Sequence, residues 1–189
     1  GVAMSGMESA KEFTQFIFDL MNQRGTAVGL GRYLEKRGVY KSSAFETVNP
    51  DERRDLHLGV DLFIAEDEPL YAPMDGIVEC LSEQSDVYDF GPVIILRHET
   101  DKGIPFWTLY GHLSRASLTH ISAGQVISKG EVIGWVGTYP VNGDWPPHTH
   151  FQLMTSLLGM GTSIHGVGNA AALTAWKSVC LPPDLVLPL

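Results

Sequence analysis

Two short segments of this sequence bring together side chains that bind transition metals. The first places a histidine four positions before an aspartate, at His57 and Asp61, and the second places two histidines around one threonine, at His148 and His150. Imidazole nitrogen and carboxylate oxygen are both zinc ligands, and two histidines with one carboxylate leave a coordination place for water. Together the two segments indicate a hydrolytic metal centre.

The geometry of an extended chain limits how these residues can share a site. Alternate side chains of a strand share a face, so His148 and His150 should project the same way, roughly 6–7 Å apart at the backbone. That separation suits one metal ligand and one residue that reaches the water or the substrate. In a straight strand His57 and Asp61 would lie about 13 Å apart. The chain must therefore bend between them, and Gly59 is the residue that could permit the bend.

The remaining histidines carry a weaker signal. His98, His120 and His165 occur singly, and we interpret them as ordinary surface or core residues. Either segment alone is a moderate or weak indication of a metal site. Both segments in one β-rich chain, with His112 at the end of a predicted strand, are a considerably stronger one.

The elements that would position these residues are mainly strands. Segments rich in β-forming residues are separated by Gly, Pro, Asp or Asn. They span residues 58–64, 76–81, 92–97, 106–110, 132–136 and 149–154. Such close spacing leaves no room for crossover helices, so we predict a mainly β fold built on an antiparallel sheet or sandwich.

Helices are expected only near the ends of the chain. Apolar residues at three- and four-residue steps predict an N-terminal helix over 9–24, which we interpret as packed on the domain, with docking to a partner as the alternative. A short C-terminal helix is expected near 169–178. We divide the chain into an N-terminal helix and lead-in loop (1–56), a β domain (57–155) and a C-terminal extension packed on the same domain (156–189).

Length and composition favour one globular domain with a metal that serves catalysis. The chain has 189 residues, 44% of them hydrophobic and 19% charged, which is enough for a core that needs no metal to fold. The net charge of -9, without a basic cluster, argues against nucleic-acid binding and against attraction to anionic membranes. Cys80 and Cys180 are too few for a disulfide scaffold, and we interpret them as buried reduced thiols.

Two observations bear on the location of the protein. No apolar run approaches the roughly 18 residues of a membrane span, and no basic segment with an apolar core begins the chain. We therefore expect a cytoplasmic protein, although a signal peptide upstream of Gly1 could have been removed.

At the positions singled out above, the sequence resembles the lysostaphin-type zinc metallopeptidases, peptidase family M23, which include many bacterial cell-wall endopeptidases. The family pattern consists of His-x-x-x-Asp, Tyr-x-His-Leu and His-x-His. Here it reads His57-Leu-Gly-Val-Asp61, Tyr110-Gly-His112-Leu113 and His148-Thr-His150. The resemblance covers about residues 57–155 and includes a strand-turn-strand over 69–78 and a hairpin over 124–134.

The resemblance implies a role for each motif residue. It makes His57, Asp61 and His150 the ligands of one zinc per chain. It makes His112 and His148 the residues that polarise the water and steady the oxyanion. The mainly β fold that we predict would accordingly be of the lysostaphin-type peptidase kind. We also predict substrate contacts from Tyr110 and from Trp145.

This sequence departs from the family pattern just before the paired histidines. The segment over 142–147 replaces the small Ser/Thr-Gly stretch that is common there, and Trp145 could narrow the cleft. A glycine-rich cross-bridge is therefore not assumed as the substrate. Further segments resemble peptidase-like modules that are joined to aminotransferase and kinase-like domains in large multifunctional proteins. This second resemblance implies an intracellular setting and an association with an aminotransferase-type protein.

The function predicted from the sequence is zinc-dependent hydrolysis of a peptide or amide bond by an endopeptidase. The chain lacks the glutamate of a helical His-Glu-x-x-His segment, so histidines must move the proton. Two alternatives stay open. The first is a non-catalytic module that binds zinc or a peptide, and the second is a hydrolase of a small amide metabolite.

Overall fold

An antiparallel sheet of eight strands is the largest sheet in the described part of the chain. The computed structural model describes residues 9–37 and 53–189. Along the sheet the strands follow the order β1 (Gly29–Gly31), β3 (Val60–Phe63), β10 (Thr149–Met154), β7 (Pro105–Gly111), β6 (Gly91–Glu99), β5 (Gly76–Gln84) and β8 (Val126–Ile127), and β12 (Cys180–Leu181) pairs with the end of β10.

Two smaller sheets complete the β structure. They pair β2 (Arg54–His57) with β11 (Val167–Asn169) and β4 (Pro69–Tyr71) with β9 (Val132–Trp135). Every pairing between the described strands is antiparallel. The predicted mainly β, antiparallel fold is confirmed.

Helices lie near both ends of the chain, as predicted. The N-terminal helix α1 (Ala10–Arg24) begins where the Ser9 side chain accepts a hydrogen bond from the Glu12 amide, and it ends at Gly25, which has a left-handed φ of 63°. The C-terminal helix α3 (Leu173–Val179) follows a 3-10 turn over Ala170–Ala172. A third helix, α2 (Arg115–His120), was not predicted. Among the described residues, no helix is long and apolar enough to cross a membrane.

The main sheet has a different apolar cluster on each face. Phe151 and Leu153 of β10 pack on one face together with Tyr110 of β7. Met154 of β10 and Leu109 of β7 pack on the other face. This alternation places His150 on the Met154 face, because residues two apart in a strand point the same way.

Strand bounds agree best with the sequence where the strands are long. The predicted segment 149–154 coincides with β10, and β5, β6 and β7 extend beyond their predicted ends. Four strands of two to four residues (β1, β2, β11 and β12) were not predicted. The stretch 25–55, interpreted as a loop, contains β1 and the start of β2, while its residues 38–52 lie outside the described part of the chain.

The segments that flank the β domain join its strands. β1 pairs with β3, and β12 pairs with β10. Cys80 and Cys180 are free thiols, as interpreted from the sequence, although Cys80 is only half-buried.

Candidate metal centre

Two strands and a bend bring the three predicted metal ligands together. Asp61 on β3 lies directly opposite His150 on β10. β2 ends at His57, and β3 begins at Val60, so the chain does bend between His57 and Asp61. A Cβ atom on Gly59 would lie 2.3 Å from the Phe151 carbonyl oxygen and 2.7 Å from His150 Nε2. Glycine is therefore required at the bend for close approach of the chain to β10.

Three ligand atoms form a small buried triangle. His57 Nε2 lies 2.9 Å from His150 Nδ1, and each of these nitrogens lies 3.1 Å from Asp61 Oδ1. All three residues are at most 3% exposed. The three side chains are thus close enough for one ion to contact all of them.

Hydrogen bonds on the outer side of each imidazole fix which ring nitrogen carries the proton. His57 Nδ1 lies 2.9 Å from the Arg32 carbonyl oxygen, which can only accept a hydrogen bond. His150 Nε2 lies 3.0 Å from Gln152 Oε1, and the amide nitrogen of Gln152 is turned away to donate to the His165 carbonyl. In the neutral rings the proton therefore sits on the outer nitrogen. His57 Nε2 and His150 Nδ1 both present lone pairs to the triangle.

Charge and burial disfavour protonation of Asp61 and His57. Burial alone would raise the pKa of Asp61, but the nearby Arg37 guanidinium, together with His57 and His148, holds that pKa well below its ordinary value. Arg37 bonds the second carboxylate oxygen, Oδ2, at 2.5 Å. Burial lowers the pKa of His57 to about 4, despite the attraction of the Asp61 charge.

These features fit zinc. Two imidazole lone pairs and a carboxylate oxygen converge on one point with no proton between them, and a cation is the partner that such a set requires. Ligands held about 2.0–2.1 Å from a tetrahedral ion lie about 3.3 Å apart, close to the separations seen here. Hydrogen bonds from the outer ring nitrogens to oxygen acceptors are typical of zinc-binding histidines.

The two predicted catalytic histidines lie beside the triangle. His148 Nε2 is 3.8 Å from Asp61 Oδ1, and the rings of His112 and His148 have centroids 4.3 Å apart. His112 follows the end of β7 and has a left-handed φ of 61°, which is uncommon for a residue other than glycine. Its amide donates to the Phe90 carbonyl, and its ring lies 5.6 Å from the Phe90 ring.

Both of these rings also have a fixed tautomer. His112 Nδ1 lies 2.8 Å from the Asn142 carbonyl oxygen, and His148 Nδ1 lies 2.7 Å from the Pro146 carbonyl oxygen. Each Nδ1 therefore carries the proton and donates, which leaves Nε2 as a proton acceptor. Burial lowers the pKa of His148, and burial together with the neighbouring His148 lowers the pKa of His112 well below its ordinary value. Both rings are neutral at pH 7.

Of the two residues predicted to contact substrate, Tyr110 lies away from the ligand atoms. Its side chain is 4% exposed and packs against Phe151 on the face of the sheet opposite His150. The sheet therefore separates the ring of Tyr110 from the ligands, and substrate contact by Tyr110 stays a prediction. Tyr110 and His112 are two positions apart, but they do not share a face, because the strand ends at Gly111 and the left-handed conformation of His112 breaks the alternation.

The other residue predicted to contact substrate, Trp145, lies beside the metal centre. Its half-buried ring is 6.2 Å from the His112 ring and 6.5 Å from the His148 ring, and the Tyr88 ring covers it at 5.2 Å. Substrate contact by Trp145 stays a prediction.

The other three histidines lie apart from the triangle. His98 is buried, with Nδ1 donating to the Asp75 carbonyl at 2.7 Å and Nε2 accepting from Thr108 Oγ1 at 2.8 Å. His120 is exposed beside the Val132 carbonyl, and His165 lies 3.3 Å from Arg54. None of the three belongs to the ligand cluster found among the described residues.

Sequence reasoning missed several residues that shape the centre. Gln152 could have been found, since it follows His150 by two in a strand and so shares its face. Arg37 and Asn142 gave no such signal. Arg37 lies 24 positions before its partner Asp61, in a segment without periodicity.

Comparisons with known proteins agree with this centre. Residues 55–164, more than half of the chain, match the family model described as Peptidase family M23. A relative from Haemophilus influenzae, named an uncharacterized metalloprotease, is 34% identical over 139 residues, which are 69% of this chain and 26% of that protein. The chain therefore spans about a quarter of the length of this curated relative.

Solved structures with a similar fold include lysostaphin. The catalytic domain of this antimicrobial peptidase from Staphylococcus simulans superposes with a TM-score of 0.50 at 22% identity, covering 85% of this chain and 97% of that one. The solution structure of lysostaphin gives a TM-score of 0.50 at 21% identity, covering 92% of this chain and 55% of that one. At this level of identity the likeness concerns the fold.

Proposed function

The chain belongs to peptidase family M23, and on that premise we propose that it hydrolyses peptide bonds as an endopeptidase, with one zinc held by His57, Asp61 and His150. Peptidases of this family are zinc-dependent, and the residues present fit zinc. The observation that carries the proposal is the buried triangle of two imidazole nitrogens and one carboxylate oxygen.

The chemistry divides between the metal and the histidines beside it. Zinc bound here supplies Lewis-acid polarisation of the scissile carbonyl and lowers the pKa of water to about 7. The protein contributes proton acceptors: His112 and His148 are neutral, their rings are adjacent, and each keeps Nε2 as a proton acceptor. Either ring can take the proton that the attacking water loses.

The order of events follows from the tautomers. A neutral ring with its proton on Nδ1 cannot donate from Nε2, so neither histidine can hydrogen-bond an oxyanion before it is protonated. The ring that takes the proton becomes a donor at Nε2, next to the developing negative charge. The same proton is then available for the leaving amine. One histidine would thus serve successively as base, oxyanion donor and acid.

The substrate and the setting of the whole protein remain proposals. The aromatic ring of Trp145 beside His112 and His148 supports a cleft that selects side chains near the scissile bond. Association with an aminotransferase-type protein and a cytoplasmic location are likewise predictions that rest on sequence resemblance and composition.

A substrate screen tests the proposal. Zinc-loaded protein should cleave at least one member of a library of synthetic tetra- to octapeptides, glycine-rich sequences included, at an internal bond, and a chelator should stop the reaction. Asp61→Ala serves as the matched inactive control. Cleavage of small N-acyl amides alone would replace the peptidase by a small-amide hydrolase. Zinc binding with no hydrolysis of either class would contradict the catalytic proposal in favour of a binding module.

A further inference from the structure

One buried amide side chain organises the loop that leads into β10. Asn142 is 0% exposed, and its Nδ2 donates to three carbonyl oxygens, those of Gly137 at 3.3 Å, Trp145 at 2.9 Å and Pro146 at 3.3 Å. Its Oδ1 accepts from the Trp145 amide at 3.1 Å. Because three carbonyls can only accept, the orientation of the amide group is unambiguous.

The prolines of this loop explain why an amide is needed. Pro146 and Pro147 have no backbone N–H, so the turn has few donors of its own for its buried carbonyl groups. A buried carbonyl without a partner is costly. The Nδ2 group of Asn142 supplies the missing donors, and it links the start of the loop at Gly137 to its end at Pro146.

The same loop holds both histidines that flank the metal centre. The backbone carbonyl of Asn142 accepts from His112 Nδ1, and the Pro146 carbonyl, which Asn142 Nδ2 contacts, accepts from His148 Nδ1. These two carbonyls therefore fix the tautomers of both rings. A single residue supplies one of them directly and holds the other in place.

We propose that Asn142 is a positioning residue that couples His112 and His148, by keeping both rings in the Nδ1–H tautomer, which leaves Nε2 of each ring as the proton acceptor. Only the expected change in kcat rests on the proposed function. The tautomers are a property of the folded protein and can be measured without any substrate.

Two substitutions separate the amide donors from the volume of the side chain. Asn142→Ala removes the donors and leaves space. Asn142→Asp keeps the shape but turns a carboxylate oxygen toward the carbonyls of Trp145 and Pro146, which repels them. Thr108→Val is the matched control, because it removes a fully buried polar contact at His98, outside the metal centre.

The decisive readout is the two-bond proton–nitrogen correlation of the histidine rings in zinc-loaded protein. In the wild type and in Thr108→Val, His112 and His148 should both be Nδ1–H tautomers. In both Asn142 variants at least one of these rings should change to the Nε2–H form or to a mixture. Zinc content should stay at the wild-type level.

Kinetics provide the second readout, measured on the synthetic peptide that the wild type cleaves fastest. We expect kcat to fall about 10- to 100-fold in the Asn142 variants, the usual size for partners that orient catalytic groups, with KM within about twofold. Unchanged tautomers in both variants would overturn the proposal, and so would a fall in kcat no larger than that of Thr108→Val. If the wild type hydrolyses nothing, the proposed function fails, and the tautomers alone decide this inference.

Discussion

Buried histidines occur in two regions of this molecule, and their hydrogen bonds differ in one respect. His98, on β6, has a protein partner on both ring nitrogens, the Asp75 carbonyl and the Thr108 hydroxyl. His57 and His150 have a protein acceptor on one nitrogen, and the lone pair of the other faces a second ligand atom. Burial alone therefore does not distinguish a metal ligand from a core residue. What distinguishes the metal ligands is a ring nitrogen whose lone pair faces another ligand atom and not a protein donor.

The largest expected effect separates these two regions directly. His57→Ala removes one of three ligands and should weaken zinc binding more than about 100-fold. Loss of a residue that only hydrogen-bonds a ligand typically weakens metal binding by about 10- to 100-fold. His98→Ala should leave zinc affinity unchanged, since both of its ring nitrogens are used within the fold. Competition with a chromophoric chelator measures both. Equal zinc affinities in the two variants would remove the distinction.

The next effect lies within the metal region. His112→Ala and His148→Ala should each keep zinc and slow peptide hydrolysis by about 100- to 1,000-fold, because each removes a proton acceptor and not a ligand. Zinc occupancy and turnover must be measured on the same preparation. Loss of zinc in His148→Ala would make that residue a ligand in place of His150, and full turnover in His112→Ala would exclude it from the mechanism.

The region around His98 should respond in stability alone. Thr108→Val leaves His98 Nε2 without its donor and should lower the free energy of unfolding by about 1–3 kcal/mol, with zinc affinity and turnover unchanged. Chemical denaturation measures the loss. A change in turnover larger than the change in folded fraction would show that the two regions are coupled.

Acid should destabilise the zinc-free protein through its buried histidines. Burial lowers the pKa of His57 to about 4, and burial also lowers the pKa of His98 from 6.5. The unfolded chain takes up protons at these rings as the pH falls through about 6.5, and the folded chain takes them up only at lower pH. The free energy of unfolding should therefore fall between about pH 6.5 and pH 4. Excess zinc should raise the free energy of unfolding at pH 7 without making the slope shallower, because His57 is unprotonated in the folded chain with or without the metal. A free energy of unfolding at pH 7 that excess zinc leaves unchanged would contradict zinc binding at His57.

The smallest expected effect concerns substrate preference. Trp145→Ala removes a ring that lies beside His112 and His148, while the backbone of the loop stays anchored by Asn142. The ratio of cleavage rates for two peptides that differ in one side chain near the scissile bond should change by about 10- to 100-fold at most. Thermal unfolding of the same variant separates the alternatives. Lower stability with an unchanged ratio would make Trp145 a packing residue.

The sequence predicted the strands and ligand segments that have a local pattern. A run of β-forming residues gave β10 its bounds, and the bend between His57 and Asp61 followed from the length of an extended chain alone. Contacts from distant segments left no such pattern. The bond from Arg37 to Asp61 and the hydrogen bonds from Asn142 to its loop depend on tertiary packing. His112 lies on a different face from Tyr110 because its own backbone is left-handed.

The central claim is that zinc binds at the lone pairs of His57 and His150 together with Asp61. Anomalous diffraction from zinc-loaded crystals tests it most directly. We predict one zinc per chain, about 2.0–2.2 Å from His57 Nε2, His150 Nδ1 and Asp61 Oδ1. A zinc bound at His98, or one coordinated by His148 with His57 or His150 left free, would contradict it.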